Sequence, residues 1–231
     1  RFPFHIGAGS PDASLPLRQQ LAVWLTSPTN PYFASSYVNR VWSYLTGLGL
    51  IEPIDDLRAS NPPTNPELLD RLTTEFVKSG FDTRQLMASI CKSRTYQLSV
   101  KTNRWNEDDK VNYTHAAARR LPAEVLFDSV HRVTGSLSHL PGLPPGSRAA
   151  LVIDPGARLA DGFLNVWGRP PRESACECER RNQVELGSIM NLITGPTINN
   201  TIVDPNNNIA RLVADELSDR QVVEKLFLMI A

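Results

Sequence analysis

Residues 31–45 read PYFASSYVNRVWSYL, and their apolar side chains recur with the period of a helix. Two neighbouring stripes take up these side chains: Phe33, Tyr37, Val41 and Tyr44 on one, and Ala34, Val38, Trp42 and Leu45 on the other. A helix that is apolar over most of its circumference is buried in a packed domain. The segment therefore predicts a central helix, which Gly47 and Gly49 end.

The rest of the sequence has mainly the same helical period. Further helices are predicted over residues 17–27, 66–79, 83–91, 122–133, 184–193, 208–217 and 219–230. The alternation typical of strands is weak and confined to residues 149–153 and 163–167, where it predicts at most one short β-hairpin. The sequence thus predicts a mainly α, bundle-like fold.

The positions of the prolines indicate how the chain is organised. The sequence holds 18 prolines and 13 glycines, and many of them fall in two loops, over residues 52–66 and 139–172. We predict a linker or N-terminal arm over residues 1–16 and a single helical domain over residues 17–231, which includes the long Pro/Gly-rich loop 139–172. The chain starts without a signal-peptide pattern, so we expect it to be a piece of a longer protein.

The charge balance excludes some classes of partner. The sequence has 24 lysines and arginines together and 24 aspartates and glutamates together, so the formal net charge is zero. A balanced chain lacks the electrostatic footprint expected of a nucleic-acid-binding protein or of one that binds an anionic membrane surface. Apolar runs are also far shorter than the roughly 18 residues of a membrane span. We therefore expect no nucleic-acid partner and no membrane span.

The most conspicuous motif is Cys176-Glu177-Cys178. Such a pair is compatible with metal ligands, a redox pair or a strained disulfide. A closed zinc site needs four ligands, and the sequence adds only Cys91 and 4 scattered histidines. Structural thiols or a local disulfide are the favoured interpretation. No Cys-x-x-Cys-His motif is present, so we expect no covalently attached c-type haem within these residues. We also expect no other cofactor here, which is a separate prediction.

Asp204, Asn206 and Asn208 have the spacing of the first three ligands of a calcium loop. The sixth position is Ile209 instead of glycine, and the twelfth is Asp215 instead of glutamate. We interpret this run as a turn whose asparagines tolerate positive φ and then cap the next helix.

Asp128 and His131 stand three positions apart on a predicted helix, where their side chains are neighbours. The sequence places no third partner beside them. A surface or capping contact is therefore favoured over a catalytic pair.

Residues 169–185 form a dense cluster of mixed charge, which is the candidate surface of this sequence. Its selected members are Arg169, Arg172, Glu173, Cys176, Glu177, Cys178, Glu179 and Arg180. One interpretation is a polar surface for sugar hydroxyls, with Glu173 and Glu177 as paired carboxylates. The favoured interpretation is a salt-bridge network that holds the proline loop against the helices.

The order and spacing of several motifs resemble the planctomycete C-terminal domain of unknown function fifteen-fifty-three. These motifs include VNRVW at residues 38–42, PPTNPELLD at 62–70 and SRTYQLS at 93–99, with further matches at 21–25, 30–31, 76–77, 79–82, 119–121 and 163–180. The resemblance implies a helical fold and an exported setting, periplasmic or in the cell envelope. It implies that a c-type cytochrome module often precedes the domain and that members extend further, so that the last helix here is truncated. It carries over no catalytic residue.

Three functions are compatible with these observations. The leading one is a non-catalytic interaction or scaffold module whose partners are other domains of the same full-length chain, including a c-type cytochrome module. The second is a polysaccharide-binding or polysaccharide-processing module that uses Trp42, Trp105 and Trp167 together with the acids of the charged cluster. The third is a thiol or metal accessory to electron transfer at Cys176 and Cys178.

Overall fold

The computed structural model describes residues 14–154, 156–174, 179–180, 185–215 and 217–230. Its contacts form two compact units, Arg1–Arg119 and Arg120–Ala231. We describe each unit by itself. The single domain predicted over residues 17–231 stays a prediction, and most of the arm predicted over residues 1–16 lies outside the described residues.

The first unit contains four helices within its described part: α1 Leu17–Leu25, α2 Phe33–Thr46, α3 Pro66–Lys78 and α4 Thr83–Cys91. The sequence carries helix-start signals at residues 64–67 (TNPE) and at Asp82 or Thr83, and a helix-ending signal at Gly80. The side chain of Asn65 accepts the N–H of Leu68 at 3.0 Å at the start of α3. The side chain of Asp82 accepts the N–H groups of Arg84 and Gln85 at the start of α4. These side chains satisfy N–H groups that a first helical turn leaves unpaired.

Helix α2 is central in the first unit, as its sequence predicts. It packs against α3 and α4, and Val38 and Trp42 are buried in the core. The ring of Tyr37 stacks on that of Phe76 in α3, with centroids 5.1 Å apart. Asn39 is fully buried and exchanges hydrogen bonds with the backbone N–H and carbonyl of Ile51. A buried amide with backbone partners fixes the loop after α2 in place.

The second unit contains α5 Ala123–Thr134, a short 3-10 helix Ala149–Leu151, α6 Phe163–Val166, α7 Leu186–Thr194, α8 Pro196–Val203, α9 Asn208–Ala214 and α10 Asp219–Ile230. No strand occurs in the part of the chain that the structure describes. The predicted α class is therefore confirmed. Helix α8 was not predicted, because asparagine, threonine and β-branched residues dominate its sequence and have modest helix propensity.

The hairpin allowed by the sequence is absent, and both of its segments are helical. Residues 149–151 form the 3-10 helix, where the carboxylate of Asp128 accepts the N–H of Ala149 at 2.7 Å. Residues 163–166 form α6, where the carboxylate of Asp161 accepts the N–H of Phe163 at 3.1 Å. Alternation over five residues does not distinguish a strand from a buried single turn. A carboxylate at the first N–H favours the turn.

The long loop predicted over residues 139–172 supplies much of the core of the second unit. Its buried apolar residues are Leu140, Ala149, Val152, Phe163, Leu164 and Trp167. They pack on Ala123 and Phe127 of α5, and the rings of Phe127 and Phe163 meet edge to face at 5.9 Å. The loop is therefore part of the packed structure of this unit.

Candidate functional site

The charged cluster proposed from the sequence begins with Arg169, which is buried, with only 5% of its surface exposed. Its guanidinium donates to the backbone carbonyls of Val152 at 2.8 Å, Asp154 at 3.0 Å and Ala157 at 3.4 Å. Burial lowers the pKa of Arg169 from its ordinary value, against the attraction of Glu124. Arg169 therefore joins parts of the loop to one another through neutral carbonyls, whereas the predicted network held the loop against the helices through ion pairs.

Two more members of the cluster also have structural partners. Arg180 donates to the carboxylate of Glu124 on α5 at 3.0 Å, and both side chains are largely buried. The carboxylate of Glu179 accepts the N–H of Glu173 and both the N–H and the hydroxyl of Ser174. The Ser174 hydroxyl is the main cause of the lowered pKa of Glu179. These contacts hold Arg180 to α5 and join Glu179 to residues 173 and 174, directly after the loop.

The remaining members of the cluster are not brought together in the described structure. Arg172 and Glu173 are exposed, and Arg172 has a φ of 58°. Cys176, Glu177 and Cys178 lie outside the described residues, so the paired-carboxylate and thiol hypotheses stay predictions. Cys91, the third cysteine of the sequence, is a half-buried free thiol at the end of α4.

The three tryptophans considered as sugar platforms differ in exposure. Trp42 is 2% exposed and Trp167 is 6% exposed, so both belong to cores. Trp105 is 79% exposed, with the guanidinium of Arg104 lying 4.5 Å from its ring centroid. Stacking on a sugar needs an accessible ring face. Of these three residues, Trp105 alone offers one.

The Asp-Asn run resembling a calcium loop is a helix-capping turn. The side chain of Asn207 accepts the N–H of Ala210 at 2.6 Å at the start of α9 and donates to the carbonyls of Thr201 and Ile202. Asn208 donates to the carbonyl of Val133 at 3.1 Å. The capping role is therefore confirmed. The predicted positive φ is wrong for these asparagines, because the described non-glycine residues with positive φ lie elsewhere.

Asp128 and His131 take separate partners in the second unit. The Asp128 carboxylate accepts the N–H of Ala149, while Nδ1 of His131 lies 3.1 Å from the carbonyl oxygen of Ser136. Burial is the main cause of the lowered pKa of His131. The favoured interpretation as non-catalytic side chains fits these contacts.

His131 lines a cleft of about 340 Å³ in the second unit, which the sequence analysis did not identify. The polar groups of the cleft include Ser136, His139, Asp161 and Asp204, over apolar residues such as Phe127. These residues come from α5, from the loop and from α8 with the turn after it. They are up to 77 positions apart, so no local motif could have revealed them.

The first unit has a cleft of about 290 Å³ beside the end of α2. Its polar residues are bound to its own loop: the Asp109 carboxylate accepts the N–H and hydroxyl of Thr114. Arg119 donates to the carbonyls of Tyr44 and Leu45 at the carboxyl end of α2. A cation at this end of a helix is stabilised by the helix dipole.

Helix α7, which the sequence predicts over residues 184–193, displays an exposed apolar surface. Its sequence, LGSIMNLIT, has no charged residue. Its exposed apolar residues are Leu186, Ile189, Met190, Leu192 and Ile193. The buried residue of this helix is Ser188, whose hydroxyl donates to the carbonyl of Val166 at 3.0 Å. The sequence signal for this surface is a helix without charged residues, whose small polar residue Ser188 makes the buried contact.

The described residues contain no group of three or more His, Cys, Asp or Glu side chains placed to hold a metal ion. Within the same residues, no helix has the length and apolar character needed to cross a membrane.

Comparison with known proteins gives one family. The model of PSD1, a protein of unknown function (DUF1553), matches residues 17–231. No curated protein and no solved structure matches the chain.

Proposed function

The chain belongs to the PSD1 (DUF1553) family, and from that premise we propose that it is a non-catalytic interaction module that docks onto another folded domain of its own full-length protein. The observation that carries this proposal is the exposed, uncharged face of α7. Because of the family resemblance described above, the proposal also includes an exported setting and a neighbouring c-type cytochrome module.

The exposed residues of α7 form one continuous face. One side of the helix carries Leu186, Ile189, Met190 and Ile193, because their spacing is i, i+3, i+4 and i+7. Leu186 is 74% exposed and Ile193 is 65% exposed. Single exposed apolar side chains are ordinary, but a row of them without charge is characteristic of a binding surface. The face therefore fits an apolar protein partner.

The polar contacts of the charged cluster support a role without catalysis. Arg169, Arg180 and Glu179 each hold backbone or side-chain groups of their own unit. Groups engaged in this way stabilise the loop and are not free to bind substrate. The charges of these three residues are thus accounted for by contacts within the second unit.

A partner domain in the same polypeptide suits this surface. Interfaces between domains of one chain are modest in size, and covalent linkage raises the effective concentration of the partner. The polysaccharide alternative depends on Trp105 as its accessible aromatic platform. The thiol alternative depends on Cys176 and Cys178, which lie outside the described residues.

Amide hydrogen exchange tests the proposal directly. We expect residues 186–194 to exchange at least about tenfold more slowly in the full-length protein than in the 231-residue chain, because docking slows the opening that exchange requires. The double variant Leu186→Glu/Ile193→Glu should remove this protection in the full-length protein. The matched control is Ile153→Glu, an exposed apolar residue outside α7. Equal exchange in the two wild-type proteins would contradict the proposal.

A further inference from the structure

The cleft of the second unit has an unusual set of charges for its size. Its volume of about 340 Å³ lies at the small end of ligand pockets. Asp161 and Asp204 line it, together with His131 and His139, and no lysine or arginine is among its described lining residues. Outside the cleft, Arg211 acts electrostatically on Asp204, and Asp128 acts on His131.

Hydrogen bonds fix both carboxylates of the cleft in their charged form. The Asp161 carboxylate accepts the N–H of Thr197 at 3.0 Å, and burial opposes its charge less than this and other hydrogen bonds favour it, so its pKa is lowered. The Asp204 carboxylate accepts the hydroxyl of Ser136 at 2.7 Å, which is the main cause of its lowered pKa. A carboxylate has about four lone-pair positions. Asp204 accepts from Ser136 and Asn206 and retains capacity for a ligand donor, whereas Asp161 is already occupied by Thr197 and Phe163 and contributes its negative charge.

His131 adds a third acceptor. Because the Ser136 carbonyl can only accept, Nδ1 of His131 carries the proton at their 3.1 Å contact. In the neutral ring Nε2 is then an acceptor, and it has no hydrogen-bond partner among the described residues. The ring packs on Phe127, with centroids 4.5 Å apart, which fixes its position beside the apolar part of the cleft.

We propose that this cleft binds a small organic ammonium ion. The N–H groups of such a ligand satisfy the remaining acceptor capacity of Asp204 and His131, and the charge of Asp161 adds attraction. The apolar part of the ligand lies against the apolar lining. An anion would meet two carboxylates and no lining lysine or arginine. A metal ion is disfavoured because the described side chains contain no group of three or more ligands placed to hold one.

Three probes of one shape test the charge preference: benzylammonium, benzyl alcohol and benzoate. Titrations followed by amide chemical shifts should show benzylammonium shifting the resonances of residues 131–139 and 197–204 at neutral pH. Benzyl alcohol should bind at least about tenfold more weakly, because it lacks the charge that two carboxylates attract. Benzoate should not bind. Equal affinity for the ammonium and the alcohol, or binding of benzoate, would overturn the proposal.

His139 provides a variant that spares the fold, since its side chain is exposed. His139→Lys places a permanent positive charge at the cleft and should weaken benzylammonium binding at least about threefold. Ile153→Lys, which adds the same charge at an exposed position outside the cleft lining, is the control and should leave binding within about twofold of wild type. Unchanged affinity in His139→Lys would count against the site.

Discussion

The guanidinium of Arg180 donates a 3.0 Å hydrogen bond to the carboxylate of Glu124, a helical residue 56 positions earlier in the chain. Both side chains are largely removed from solvent. Breaking a buried pair by removing one charge is costly, because the other charge loses its compensation. This ion pair therefore ties the segment after the proline loop to α5.

Replacing Glu124 with Gln should lower the free energy of unfolding by about 2 kcal/mol at pH 7, since Arg180 loses a charged acceptor. Burial raises the pKa of Glu124, but Arg180 outweighs it and the net pKa is lowered from 4.5. The stabilisation is thus present above about pH 4.5 and is lost as the pH falls through the lowered value. Urea unfolding at pH 7, 5 and 4 measures it. The control Glu107→Gln should change stability by less than about 0.5 kcal/mol.

Replacing Arg169 with Lys should cost about 2 kcal/mol or more, because an ammonium group cannot bond to the three carbonyls that the planar guanidinium reaches. These acceptors carry no net charge, so raising NaCl from 0.05 to 0.5 M should leave the difference nearly unchanged. Urea unfolding at both salt concentrations is the measurement. The exposed Arg172→Lys is the control. A loss that disappears at high salt would instead indicate that Arg169 acts through an ion pair.

Trp42 and Trp105 form a matched pair for testing burial. Trp42→Ala should cost about 3–5 kcal/mol, because it empties a core site where the ring meets Tyr113 edge to face at 5.5 Å. Trp105→Ala should cost less than about 0.5 kcal/mol, since its ring is exposed. Chemical denaturation followed by circular dichroism compares the two variants. A similar loss in both would mean that the assigned burial is wrong.

Two helix caps should differ in their contribution to stability. Asn65→Ala removes one exposed capping bond and should cost about 1 kcal/mol. Asn207→Ala should cost about 2–4 kcal/mol, because the buried amide also donates to the carbonyls of Thr201 and Ile202. Thermal and urea unfolding of both variants provide the comparison. Equal losses would show that the additional donors of Asn207 contribute nothing.

The local patterns of the sequence predicted most helices of the first unit. Three kinds of signal act over only a few residues: the apolar stripes of α2, the caps at Asn65 and Asp82, and the glycine at position 80 after α3. Such signals depend on backbone hydrogen bonding within one turn, so sequence alone carries them. The burial of Trp42 follows from the same periodicity.

The sequence predicted less about the candidate sites than about the helices. The sequence predicted a salt-bridge network for the charge cluster, but it did not predict that Arg169 bonds to backbone carbonyls, because that choice depends on the folded loop. The cleft of the second unit joins His131 to Asp204, which no local pattern connects. The exposure of α7 was also hidden, because periodicity identifies an apolar face without identifying what covers it.

The sequence by itself determined the helical class, the helix caps and the central position of α2, because each is fixed by interactions among neighbouring residues. The tertiary structure decided that residues 139–172 supply core side chains, that Arg169 bonds to carbonyls and that α7 keeps its apolar face exposed. These properties depend on contacts between residues far apart in the chain. Chain entropy opposes such contacts, and they form only when the packed unit as a whole is stable.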